Sequence, residues 1–299
     1  MLSKVVKTYI SKIIRFSHCV SSTRHFHGNI IKYSSRADFR MAPNVFRQQK
    51  IYSALVTDIF DASSTIKILR LHVKEEGFSF KAGQWVDFYV PGISEVTGYS
   101  MTLLQRVERR DINCLLIWKF LHYKWFIACS PGEEVQIRVG GDFFYDPLSD
   151  NAEAESNLVL VGGGVGINPL VSILLEYRDL LRSTINHPES EIEPGKVHLL
   201  YSARTECELV FRDQFTIMEK EHPSLTCQYF VTRPEQNATS PGINFCRIGE
   251  KNVADSIKSL AGKRTLCFVC GPSTMTDDVA SWFLKLGIPK ENVRYEKWW

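Results

Sequence analysis

Four glycines within five residues, Gly162, Gly163, Gly164 and Gly166, constrain this chain more than any other feature. The apolar run Val159-Leu160-Val161 enters them, and the long amphipathic segment starting Ile167-Asn168-Pro169-Leu170 leaves them. Strand, glycine-rich turn and helix start together make a cradle for a dinucleotide diphosphate. Glycine lets backbone approach an anion closely and adopts angles closed to other residues. The first N–H groups of the following helix then point at the negative charge. Asn168 is placed to cap that helix and Pro169 to occupy its first position. With Gly162 and Gly164 as the first pair, Ile167 stands where G-x-G-x-x-G requires its third glycine, so this is not the standard Rossmann fingerprint.

The chain has 299 residues, length enough for two domains. Its formal charge of +3 is nearly balanced, and much of the excess lies in the first forty residues, so the folded part carries no basic bias towards nucleic acid. Residues 1–37 contain no Asp or Glu, and they place Lys4, Lys7, Lys12 and Arg15 on one helical side opposite Leu2, Val5, Val6, Ile10, Ile13 and Phe16. That composition predicts a mitochondrial transit peptide ahead of a basic tail or a secretory signal. No apolar run approaches the roughly 18 residues of a membrane span. Eight cysteines are scattered rather than framed, which suits a reducing compartment. Cys267 and Cys270 are half a zinc site at most, and three apart on a strand they face opposite sides, so no metal is expected.

Between residues 50 and 146, short alternating runs at 51–56, 66–73, 85–90, 115–120 and 134–139 predict an all-β antiparallel barrel or sandwich. The polar stretch 146–156 reads as a linker. From residue 157 to 299, strand and helix alternate, which predicts an α/β domain built on a parallel sheet. Its strands are expected near 158–161, 196–202, 226–231 and 265–270, with helices at 169–181, 209–221, 253–260 and 273–286 and a last strand at 293–295. The glycine turn, Ser202-Ala203-Arg204 and Cys270-Gly271-Pro272 all fall at carboxyl ends of strands, where such sheets bind ligands.

A barrel followed by a nucleotide domain, with Gly163 to Pro169, Cys270-Gly271-Pro272 plus Met275, Gly98-Tyr99-Ser100 and a terminal Trp298-Trp299, resembles the ferredoxin–NADP reductase family over residues 50–299. The resemblance implies a flavin-dependent NAD(P)H oxidoreductase with NAD or NADP and FAD as cofactors. Gly163, Gly164, Val165, Gly166, Ile167 and Asn168 would hold the dinucleotide diphosphate. Cys270 would sit at the point of hydride transfer, with Gly271 and Pro272 shaping the nicotinamide pocket. Tyr99 would pack on the flavin, Ser100 would bond its reactive edge, and Trp299 would cover its other face. The electrons would pass to an unidentified acceptor, a redox protein being one candidate. The family's arginine two residues before the tyrosine is replaced here by Thr97, which weakens the case for a flavin phosphate site. The rival reading is therefore an NAD(P)-binding, flavin-deficient sensor or assembly protein. At the end of the second nucleotide-domain strand, Ser202 and Arg204 suit a 2′-phosphate, whereas Glu206 and Glu208 oppose one, and the balance leans to NAD.

Overall fold

The structure is a computed structural model that describes residues 46–63, 66–89, 97–100, 111–117, 130–187, 189, 191–234 and 239–298. The first half is a six-stranded antiparallel sheet of β1 (Tyr52–Ser63), β2 (Ile66–Val73), β3 (Trp85–Tyr89), β4 (Thr97–Ser100), β5 (Asp111–Ile117) and β6 (Glu134–Gly140). Its order is β4-β3-β6-β1-β2-β5, and the two end strands approach each other, giving the expected barrel-like form. β6 shows the cause of this packing. Val135, Ile137 and Val139 are buried, Glu134 and Gln136 are exposed, and the inward set joins Ala54, Val56, Leu69, Leu71, Val86 and Phe88 in one core.

The second half is a parallel sheet ordered β10-β9-β8-β7-β11-β12, where the strands are β7 (Asn157–Gly163), β8 (Val197–Ala203), β9 (Leu225–Val231), β10 (Ile243–Asn244), β11 (Thr265–Pro272) and β12 (Val293–Trp298). Both faces are covered, as parallel sheets require. Leu158 and Leu160 of β7 and Leu266, Phe268 and Cys270 of β11 enter one core, while Val159, Val161, Cys267 and Val269 enter the other. The expected alternation of Cys267 and Cys270 between faces is thus observed. Helices α2 (Ile167–Asn186), α3 (Arg212–Glu221), α4 (Glu250–Ser259) and α5 (Ser273–Lys285) complete the domain. The chain leaves β7 for β8 and β9, then returns across it to β11, so the sheet reverses direction beside β7 and opens a crevice at its carboxyl end. Among the described residues, no helix is long and apolar enough to cross a membrane.

The stretch expected to be a linker is more ordered than its polarity suggests. Asp150 caps a one-turn helix, α1 (Asn151–Ala154), by accepting from the Ala152 N–H at 2.9 Å, and Glu153 and Ala154 are buried. Glu153 is polar for a reason. It accepts from the Asp146 N–H and pairs with Arg294 on β12, whose guanidinium also donates to the Phe144 carbonyl at 2.6 Å. Phe143 and Tyr145 meet Phe268 edge-on, and the Gly83 N–H donates to Ser172 Oγ at 3.2 Å. The halves therefore share a packed junction.

Candidate functional site

The glycine turn lies at the carboxyl end of β7, and its four glycines do different jobs. A Cβ on Gly166 would fall 2.0 Å from the Cys270 carbonyl oxygen, and one on Gly163 would fall 2.7 Å from Met275 Sδ. One on Gly162 would fall 3.1 Å from Leu170 Cδ1. Those three glycines make room for protein. Gly164 alone has a positive φ, +57°, faces open space and is exposed, with Val165 half-buried beside it. The part of the turn that faces open space is thus one glycine wide.

Gly164–Gly166 form a single 3-10 turn that feeds straight into α2. This corrects the capping expectation. Gly166 holds the N-cap position with no side-chain bond, and Asn168 lies inside the first helical turn. The two-residue shift follows from the glycines, which let the chain coil before Asn168 is reached. Ile167 and Asn168 are almost wholly buried, so the backbone is what they present at this end of the helix.

Cys270 and Gly271 are buried at the end of β11 and Pro272 is exposed. β11 lies between β7 and β12, with Cys270 in register with Gly162 on one side and Glu296 on the other. Gly271 is fixed by contact: its Cβ would meet Met275 Cε at 2.6 Å and Gly163 Cα at 3.2 Å. Methionine, two glycines and a proline therefore interlock, which is why this spacing is a usable sequence signal. The Gly271 carbonyl accepts from Thr276 Oγ1 at 3.3 Å.

Across the junction, β4 pairs with β3, matching Ser100 to Trp85, Tyr99 to Val86, Gly98 to Asp87 and Thr97 to Phe88. The backbone of β4 places the Tyr99-Ser100 motif on a barrel edge strand. The side chains of Tyr99 and Ser100, and Trp299 entirely, lie outside the described residues, as does the segment 1–37. Asp87, nearly fully buried, accepts from Arg138 at 2.6 Å and from Arg47 Nε at 3.0 Å.

Two residues absent from the sequence reading stand at this place. Trp85 lies on the Gly140-Gly141 step, so closely that a Cβ on either glycine would come within 2.7 Å of the indole. Burial pushes the Glu296 carboxyl up to a pKa of about 7, and Trp85 pulls it partly back down. Glu296 Oε2 is sealed from solvent with no hydrogen-bond partner. A glutamate in an exposed-looking terminal run, Tyr295-Glu296-Lys297, gave no signal of this. Its register with Cys270 would have.

At the end of β8, Arg204 is exposed and Ser202 half-buried. The two neighbouring carboxylates are both engaged. Glu208 accepts from the Arg204 N–H at 3.2 Å, while Glu206 accepts from Arg212 at 2.6 Å and from Ser240 Oγ at 2.5 Å. Among the described residues no group of three His, Cys, Asp or Glu side chains is disposed to hold a metal.

Residues 160–281 match the model of the oxidoreductase NAD-binding domain family. The chain is 38% identical over 261 residues to oxidoreductase NAD-binding domain-containing protein 1 of Danio rerio, covering 86% of this chain and 95% of that one. Its fold resembles the Amycolatopsis cytochrome P450 reductase GcoB, with a TM-score of 0.66, 22% identity, and coverage of 83% and 69%. It also resembles a ferredoxin NADP+ reductase from Neisseria gonorrhoeae with bound FAD and NADP, with a TM-score of 0.62, 20% identity, and coverage of 84% and 99%.

Proposed function

Since the chain belongs to the family of oxidoreductase NAD-binding domain-containing protein 1, we propose that it is a flavin-dependent NAD(P)H oxidoreductase working in the mitochondrion. The observation that carries the reading is the meeting, at the carboxyl end of the parallel sheet, of the turn holding the open, positive-φ Gly164 with the Cys270–Pro272 strand end. The barrel adds the edge strand β4 bearing Tyr99 and Ser100.

The residues present fit a dinucleotide. Gly164 leaves space where a diphosphate would lie, and the 3-10 turn with the start of α2 directs backbone N–H groups to the same end. Cys270, Gly271 and Pro272 would then bound the nicotinamide end, with Glu296 in register beside Cys270 on the neighbouring strand. On the barrel side the flavin would lie against β4, and Glu296 Oε2 on β12 is a buried oxygen with no protein partner. Tyr99, Ser100 and Trp299 would hold the ring. Bound there, a flavin accepts hydride and passes electrons on singly, while the protein supplies orientation and excludes water. NADH is the preferred donor in this reading, and a redox protein is the acceptor.

One observation favours the rival reading, a nucleotide-binding sensor or assembly protein without flavin. Thr97 brings no charge to β4, and two guanidiniums, Arg47 and Arg138, bond Asp87, the register partner of Gly98. Residues 38–299 purified yellow, bleached by NADH without oxygen, and slowed at least tenfold in bleaching by Cys270→Ser would support the oxidoreductase. A colourless protein that takes up neither FAD nor FMN but binds NADH would move the assignment to the rival.

A further inference from the structure

We propose that the nucleotide domain carries a second ligand site, at the end of the sheet away from the glycine turn, which takes a small carboxylate with an apolar tail. Two helix-to-strand turns lying side by side make it. Gly262, at a φ of +105°, turns the chain from α4 into the start of β11, and Gly287, at +84°, turns it from α5 towards β12. β11 and β12 are parallel neighbours, with Cys267 in register with Val293, so both turns reach the same end of the sheet. Between them lies a cavity of about 450 Å³, a size ordinary for small-molecule sites. Ile257 and Leu260, at the end of α4, and Ile288 and Pro289, from the second turn, give it an apolar floor.

The polar groups around this floor are donors. Asn292 lines the cavity and is only 7% exposed. Arg264 donates to its Oδ1 from Nε at 3.2 Å and from Nη2 at 3.1 Å, which fixes that end of the amide as the oxygen. Asn292 Nδ2 is therefore the donor end. It has no hydrogen-bond partner among the described residues and is not sealed from solvent, so it opens on the cavity. Arg264 spends two of its five N–H groups on a neutral amide, and its charge is answered by no carboxylate among the described residues. Lys258, also on the rim, pairs with none either, whereas Lys263 is held by Glu193 at 3.0 Å. No Asp or Glu lines the cavity. A bare inorganic anion would leave the apolar floor wet, and a hydrocarbon would leave Asn292 Nδ2 and Arg264 unanswered. A carboxylate with a short apolar chain satisfies both.

This site and the nucleotide crevice stand at opposite ends of one strand. β11 starts with Thr265 at the cavity wall and reaches Cys270 at the crevice about 17 Å further on. The two sets of residues do not overlap, so the site stands whether or not the chain binds NADH.

The test titrates the full chain with sodium butanoate, hexanoate and octanoate by calorimetry. One site per chain is expected, with affinity rising roughly fourfold for each methylene laid on the floor. Octan-1-ol, which has the tail without the charge, should bind at least about tenfold more weakly. Asn292→Asp keeps Oδ1 for Arg264 but sets a carboxylate against the ligand, and Arg264→Met removes the cation. Each should weaken octanoate at least about tenfold while the urea midpoint stays near the native one. If one variant fails to fold, the other and octan-1-ol decide. Octanoate that does not bind, that binds both variants as it binds the native chain, or that octan-1-ol matches, would overturn the site. So would displacement of octanoate by NADH, which would put it in the crevice. A chain that binds octanoate but not NADH would keep this site and sink the oxidoreductase reading alone.

Discussion

The two ends of the proposed site are built from different materials. On the nucleotide side the site is backbone: Gly164, the 3-10 turn after it, the start of α2 and the Cys270–Pro272 strand end, all fixed by a sheet buried on both faces. On the barrel side it is assigned to β4, a four-residue strand at a sheet edge, by the residue types it carries. Backbone sites are set by where glycine is required, so they tolerate few substitutions. Side-chain sites are set by which residue is present, so they can lose one function and keep the fold. Thr97 in the arginine position is a change of the second kind.

The sharpest break in that comparison is Gly166→Ala. Its new Cβ would stand 2.0 Å from the Cys270 carbonyl oxygen, which is backbone and cannot swing away. Overpacking of this kind costs about 3 kcal/mol. We expect a large drop in the urea midpoint together with loss of NADH binding. An alanine accepted with native stability would show that the turn is not pinned to β11. No single substitution on β4 should cost as much.

Next in size is the junction itself. Arg294→Met would remove the partner of Glu153, whose side chain is only 8% exposed, and the donor to the Phe144 carbonyl. Stranding a buried carboxylate costs several kcal/mol, reduced here because Arg294 is itself a quarter exposed, to about 2 kcal/mol. Calorimetry should then resolve two unfolding transitions where the native chain shows one. A single unshifted transition would mean that the aromatic contacts of Phe143 and Tyr145 with Phe268 hold the halves together without the ion pair.

Much of this was legible in the sequence where burial is two-sided. β8 was expected at 196–202 and lies at Val197–Ala203; β11 was expected at 265–270 and lies at Thr265–Pro272. Continuous apolar runs between turn residues leave little freedom in such strands. The barrel was less legible, because one face is wet and alternation is weak. β1 runs on to Ser63 where the expected strand ended at 56, and it bulges between Val56 and Asp58, which breaks the period-two pattern. α1 was missed because its polar residues are satisfied by distant groups, Glu153 by Arg294 above all. Glu296 was missed for the same reason. Its register neighbour Cys270 lies on a strand 26 positions earlier, and only the sheet joins them.

Gly164→Ala is the mildest substitution and separates ligand from scaffold most cleanly. Nothing stands within 4 Å of the added Cβ, so packing is untouched, and the cost is the left-handed backbone alone, about 1 kcal/mol. A small loss of stability is therefore expected. The same Cβ would project into the space assigned to the diphosphate, so NADH affinity should fall by more than that strain accounts for, about tenfold or greater. If affinity falls only in step with stability, Gly164 is a turn residue like the other three, and the anion must lie elsewhere on the crevice. If affinity falls while the urea midpoint hardly moves, one glycine faces the ligand and three face the protein.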